Sequence, residues 1–151
     1  GWLDFGSSSR PSELGPAMLC AQLEDPPRIQ ERRRQLWVRY YEALGSWAST
    51  RGITLPTVPS SSAQAYHMFY MLMPSVAERR ALILHLKARS MLAVSHYLPL
   101  HLSRVGQRFG GRAGDCPVSE RVADQLIRLP FFTDMTDEEQ GEVIDALQAL
   151  P

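Results

Sequence analysis

Lysine is almost absent from this chain. Lys87 is its only one, against fifteen arginines, a bias that points to a GC-rich coding sequence more than to a function. Cysteine is scarce too. Cys20 and Cys116 have no metal-ligand spacing around them; Cys20 lies among Met18, Leu19, Ala21 and Leu23, where a buried thiol is expected. A disulfide between the two is not expected in a cytoplasmic protein. An excess of either charge is also missing. The formal net charge is zero, which argues against a dedicated nucleic-acid binder. The run Glu31-Arg32-Arg33-Arg34 is offset by Asp137, Glu138, Glu139, Glu142 and Asp145, and reads as a solvated helix face. No apolar run approaches the roughly 18 residues that span a bilayer, and no secretory pattern opens the chain. A soluble, cytoplasmic protein is expected, with neither membrane nor nucleic acid as partner.

What is present is an ordinary globular composition, 44% hydrophobic over 151 residues, enough for one compact core. Residues 1–10 read as an extended arm. Ser12 is placed to cap a helix to about Glu24, with a first turn distorted by Gly15-Pro16. Asp25-Pro26-Pro27 stops that helix and starts the next. The second runs to about Ser49 and spaces Ile29, Arg33, Leu36, Trp37, Tyr40, Tyr41, Leu44, Trp47 and Ala48 at helical intervals. Residues 53–56 suit a short edge strand, 57–63 a Pro/Ser loop, and 65–73 a strand. Ser75-x-x-Glu78 opens a helix over 76–89, and a strand follows over 91–96. Residues 101–115, with four glycines, read as a loop, and 118–128 as a helix. Thr136-x-x-Glu139 caps a last helix to about Ala149. Short strands between helices give an α+β domain: a small, mostly antiparallel sheet covered by helices on one face.

Chemistry concentrates in Ser95-His96-Tyr97-Leu98-Pro99-Leu100-His101. Two imidazoles, a phenol and a proline gather where the apolar run Met91-Leu92-Ala93-Val94 ends, and strand ends are where scaffolds place functional groups. The competing reading is that Tyr97 and one histidine only pack the strand end. A metal site is disfavoured, because the histidine spacing fits no helix face and no carboxylate or thiolate is near in sequence. The segment Arg104-Val105-Gly106-Gln107-Arg108-Phe109-Gly110-Gly111-Arg112 has the glycines and guanidinium groups to cradle a diphosphate. It lacks the spacing of a Walker or dinucleotide fingerprint, and a solvated loop is an equal alternative. His67 opens the predicted strand over 65–73, where a histidine satisfied within the fold is equally plausible.

Taken in order, several pieces carry a resemblance: Trp2-Leu3-Asp4-Phe5-Gly6-Ser7-Ser8-Ser9-Arg10 and Pro11-Ser12-Glu13-Leu14; Ala21-Gln22-Leu23; Trp37-Val38-Arg39-Tyr40-Tyr41-Glu42-Ala43-Leu44; Tyr66-His67-Met68-Phe69-Tyr70; the histidine-rich segment; Pro117 through Pro130; and Thr136-Asp137-Glu138-Glu139-Gln140. The chain resembles the C-terminal part of the DegT/StrS family of sugar aminotransferases, which use pyridoxal phosphate (PLP) to aminate nucleotide-linked keto sugars. The branch it most resembles makes TDP-4-amino-4,6-dideoxygalactose.

The resemblance implies the small domain of a fold type I PLP enzyme. Residues 1–24 would form an arm and helix at the junction with a large domain, and 25–151 the small domain. It implies glutamate and a TDP-linked 4-keto-6-deoxyhexose as substrates, a homodimeric parent enzyme, and surface polysaccharide or lipopolysaccharide synthesis as context. Ser8 and Arg10 match family positions that reach the cofactor phosphate of the neighbouring subunit. His67, His96, Tyr97, His101, Arg104 and Arg108 would line the substrate side. The Schiff-base lysine that such chemistry needs lies upstream of these segments in the family, and Lys87 matches an ordinary surface position. The expectation is therefore a chain without catalytic residues of its own, binding no PLP and performing no transamination alone. The alternative is a non-catalytic sugar-nucleotide-binding or dimerisation module that keeps this fold.

Overall fold

The structure, a computed structural model, describes residues 12–150, so Ser8 and Arg10 lie outside the described residues. Helix α1 (Leu14–Leu23) begins after Glu13, and Ser12 does not cap it, since no side chain bonds its first turn. The expected distortion does not stop that turn from closing, with Ala17 N donating to Glu13 O at 3.2 Å. Proline in a first turn lacks only a donor that has no intrahelical acceptor. No side chain of α1 is buried. Cys20 is exposed, which corrects the expected buried thiol.

Helix α2 (Pro26–Thr50) starts on its two prolines and buries Leu36, Trp37, Tyr40, Leu44 and Ala48. Trp37 meets Phe69 edge-on at 5.5 Å and stacks on Tyr41 at 5.1 Å, geometries that add to plain burial. The Tyr40 hydroxyl donates to Pro130 O at 3.0 Å, and burial pushes its pKa up. The arginine run is more than a solvated face. Arg32 bonds Met135 O and pairs with Asp137 at 2.9 Å, Arg33 donates to Thr133 Oγ1 at 3.0 Å, and only Arg34 turns to its own helix, on Glu31.

Strand β1 (Tyr70–Leu72) is shorter than the expected strand over 65–73. The predicted edge strand over 53–56 reduces to one antiparallel bridge, Thr54 to Leu72. Helix α3 (Val76–Lys87) is capped as expected by Ser75, which accepts from Glu78 N. The Glu78 carboxylate in turn accepts a hydrogen bond from the serine hydroxyl at 2.6 Å. Strand β2 (Val94–Ser95) follows. The segment read as a loop over 101–115 holds the end of a 3-10 turn (Leu100–Leu102) and helix α4 (Arg104–Arg108). Helix α5 (Pro117–Gln125) runs directly into strand β3 (Leu126–Arg128), where the sequence suggested continuous helix to 128. Strand pairing on both sides overrides the weak local preference of three residues. Helix α6 (Asp137–Gln148) has the full Thr136/Glu139 capping box.

The sheet order is β1-β3-β2, antiparallel throughout. Met71, Ile127 and Ser95 are in register, as are Tyr70, Arg128 and Val94. Met71 and Ile127 are fully buried, in a core shared with α2, α3 and α6. Alternation places Tyr70, Leu126 and Arg128 on the opposite face. The α+β fold with a small antiparallel sheet beneath helices is as expected. Among the described residues no helix is long and apolar enough to cross a membrane.

Candidate functional site

The site grows from the end of β2. After Ser95 the chain leaves the sheet as His96-Tyr97-Leu98-Pro99, then turns through Leu100–Leu102 into α4. Ser103 makes that turn twice over: its hydroxyl donates to Leu100 O at 2.7 Å and accepts from Gly106 N at 2.9 Å. The His96 and Tyr97 rings meet edge-on at 5.1 Å. Tyr97 is 78% exposed, and among the described residues its hydroxyl has no hydrogen-bond partner.

Three clefts open on this rim: a mostly apolar one of about 310 Å³, where Leu98 and Pro99 face Val122 and Leu126, and two with more polar linings. One of these two, of about 260 Å³, is bounded by Arg79, Ser95, His96, Tyr97, Glu120 and Asp124. The other, of about 340 Å³, lies on the far side of the sheet, with His67, Tyr70, His96 and Leu126 facing the 57–64 loop. The structure thus gathers three residues expected from sequence: His67 and His96 at one cleft, His96 and Tyr97 at the other two. His101 is different. Its Nε2 bonds Glu120 Oε1 at 2.8 Å, so one imidazole nitrogen is committed inside the fold. Arg104 and Arg108 lie exposed on α4 and line none of these clefts. Neither has a carboxylate partner among the described residues.

Sequence reading missed Arg79, Glu120 and Asp124. Arg79 donates to Ala123 O at 2.6 Å and so ties α3 to α5, while its Nε is buried without a partner. Glu120 Oε1 also accepts from Gly114 N at 2.8 Å and Cys116 N at 3.4 Å. The His101 bond, then the Gly114 amide, holds its carboxyl below the usual range. The only signal for it was a carboxylate one turn into a Pro-started helix, which helix preference alone explains.

Chemically, the rim offers imidazole, phenol and guanidinium donors beside two carboxylates. Such donors and acceptors have the chemistry to bind and orient a polar ligand. The set contains no nucleophile paired with a base, and among the described residues no group of three or more His, Cys, Asp or Glu is placed to hold a metal. Lys87 sits exposed at the end of α3 and lines none of these clefts. With no lysine in any of the three clefts, the described residues do not fit the needs of a Schiff-base cofactor.

Among solved structures, S. venezuelae DesV, in complex with a ketimine intermediate, superposes with a TM-score of 0.81 at 29% identity, over 95% of this chain and 37% of DesV. The fold is that of an aminotransferase domain. The chain belongs to the DegT/DnrJ/EryC1/StrS aminotransferase family, which it matches over residues 2–148. It is 28% identical to the dTDP-3-amino-3,6-dideoxy-alpha-D-galactopyranose transaminase of Aneurinibacillus thermoaerophilus, over 94% of this chain and 37% of that protein. It is 30% identical to the erythromycin biosynthesis sensory transduction protein EryC1 of Saccharopolyspora erythraea, over 95% of this chain and 38% of that protein. The chain thus spans under two-fifths of the length of these relatives.

Proposed function

We propose that this chain is the C-terminal small domain of a PLP-dependent nucleotide-sugar aminotransferase, supplying the sugar-nucleotide side of the active site and not the catalytic amine. The observation that carries the reading is the open rim where His67, His96 and Tyr97 converge on two clefts with no lysine. In this reading residues 1–24 link to a lysine-bearing large domain and 25–151 close over the substrate. Ser8 and Arg10 reach the cofactor phosphate of a neighbouring subunit in a homodimer. Arg104 and Arg108 meet the diphosphate as the domains close, and His101 contributes through Nδ1. The substrates are glutamate and a TDP-linked 4-keto-6-deoxyhexose, and the product feeds surface polysaccharide or lipopolysaccharide synthesis in the cytoplasm. The dTDP-amino-sugar transaminase among the relatives supports the nucleotide. Amination at C4, as opposed to the C3 of that relative, is the branch-level part of the proposal.

Two measurements test it. The purified chain, given PLP, glutamate and a TDP-4-keto-6-deoxyhexose, should show no turnover; turnover would end the idea of a separate catalytic half. Titration with dTDP, followed by NMR, should shift His67, His96 and Tyr97 and leave α6 unmoved, and His96→Ala should weaken binding by about fivefold, the worth of one lost hydrogen bond. No shift at the rim, or equal binding by the variant, would count against the substrate-side role.

A further inference from the structure

We propose that Glu120 is the positioning residue of the His96-Tyr97-Leu98-Pro99 rim, holding it to the sheet through His101. The proposal rests on reading that rim as the sugar-nucleotide side. One carboxylate oxygen, Oε1, accepts three bonds: from His101 Nε2, Gly114 N and Cys116 N. These donors sit near the two ends of the glycine-rich segment, so a single atom closes it. A carboxylate only accepts, so Nε2 of His101 carries the proton and Nδ1 alone is left for a ligand.

The closed segment is tightly packed. A Cβ on Gly106 would lie 2.0 Å from Leu100 O, and one on Gly111 would lie 2.5 Å from His101 O. The 3-10 turn, α4 and Gly111 therefore form one unit with no room for a side chain between them. Glu120 joins this unit to α5. Helix α5 continues without a break into β3, and β3 pairs with β2, whose end begins the rim. The path is a ring: β2, rim, 3-10 turn, His101, Glu120, α5, β3 and back to β2. Both ends of the rim are thus referenced to the central strand, which explains how a two-residue strand can present His96 and Tyr97 in a fixed place. Oε2 of Glu120 has no partner among the described residues, and the side chain borders the 260 Å³ cleft that His96 and Tyr97 also line.

The test compares wild type, Glu120→Ala and Glu120→Gln of the 151-residue chain. Long-range proton–nitrogen NMR should show His101 protonated at Nε2 in wild type and lose that fixed state in Glu120→Ala. Amide exchange at Gly114 should quicken about tenfold or more in Glu120→Ala, with Ile127 and Leu147 unchanged. Glu120→Gln, which keeps an acceptor oxygen, should restore part of both. The His96 and Tyr97 ring resonances should move in Glu120→Ala, and affinity for dTDP should fall about fivefold or more. Unchanged ring resonances, unchanged Gly114 exchange, or equal quickening at Ile127 would each overturn the proposal, the last by reducing Glu120 to general stability. Should the wild-type chain not bind dTDP, the functional reading fails, while the ring resonances and exchange still decide the role of Glu120.

Discussion

Tyr40 shows what a single atom does in this core. Its ring is fully buried between α2 and Phe69, and its hydroxyl satisfies the Pro130 carbonyl just beyond β3. Tyr40→Phe keeps the ring and strands that carbonyl, so stability should fall by about 1–3 kcal/mol, read as a lower urea midpoint with an unchanged slope. A midpoint equal to wild type would show that water reaches Pro130. Glu120 makes a prediction with a sign. Its folded pKa lies below the ordinary 4.5 because His101 and two amides bond the ionised form. A group lowered on folding contributes fully above its unfolded value, and the contribution is lost as pH falls through the folded one. Gly114 protection, corrected for intrinsic exchange, should therefore stay level down to about pH 4.5 and decline only below it. A decline centred above that point would mean that the carboxylate is not the acceptor.

At the scale of elements, β3 matters most and was least legible. Its three residues pair with β1, Ile127 and Arg128 pair with β2 as well, and the strand joins α5 to the core, with Ile127 fully buried between Met71 and Ser95. Ile127→Ala should cost about 2–5 kcal/mol, measured by urea unfolding, and a loss under 1 kcal/mol would mean that the sheet is not the organising layer. Leu126, Ile127 and Arg128 carry too short a pattern to distinguish a strand from the last turn of a helix. The long helices were readable because their signals are local. Helix α2 spaces Leu36, Tyr40 and Leu44 at helical intervals behind two prolines, and α3 and α6 carry Ser75 and Thr136 caps. The position of His96 and Tyr97 at a strand end was readable for the same reason: they come just after Ser95, which follows an apolar run. Glu120, Arg79 and the pairing of His101 were not, because each depends on a partner far along the chain. The exposure of Cys20 was missed because an apolar helix suggests burial without saying what would cover it.

That helix sets the last question for the molecule as a whole. Helix α1 has ten residues, none charged and none buried, with Leu14, Met18, Leu19 and Leu23 between 55% and 77% exposed. Helices this short are marginal in water, and Gly15 and Pro16 weaken this one further. Its apolar side chains have little reason to stay in water if another surface is offered. The chain should therefore associate with itself as concentration rises, through α1. Sedimentation over a broad concentration range should show the average mass increasing, and Met18→Glu with Leu19→Glu should return it to that of the monomer while the melting of the core stays unchanged. If the wild-type chain remains a monomer throughout and its α1 amides exchange as slowly as those of α6, then α1 is held by contacts within one chain.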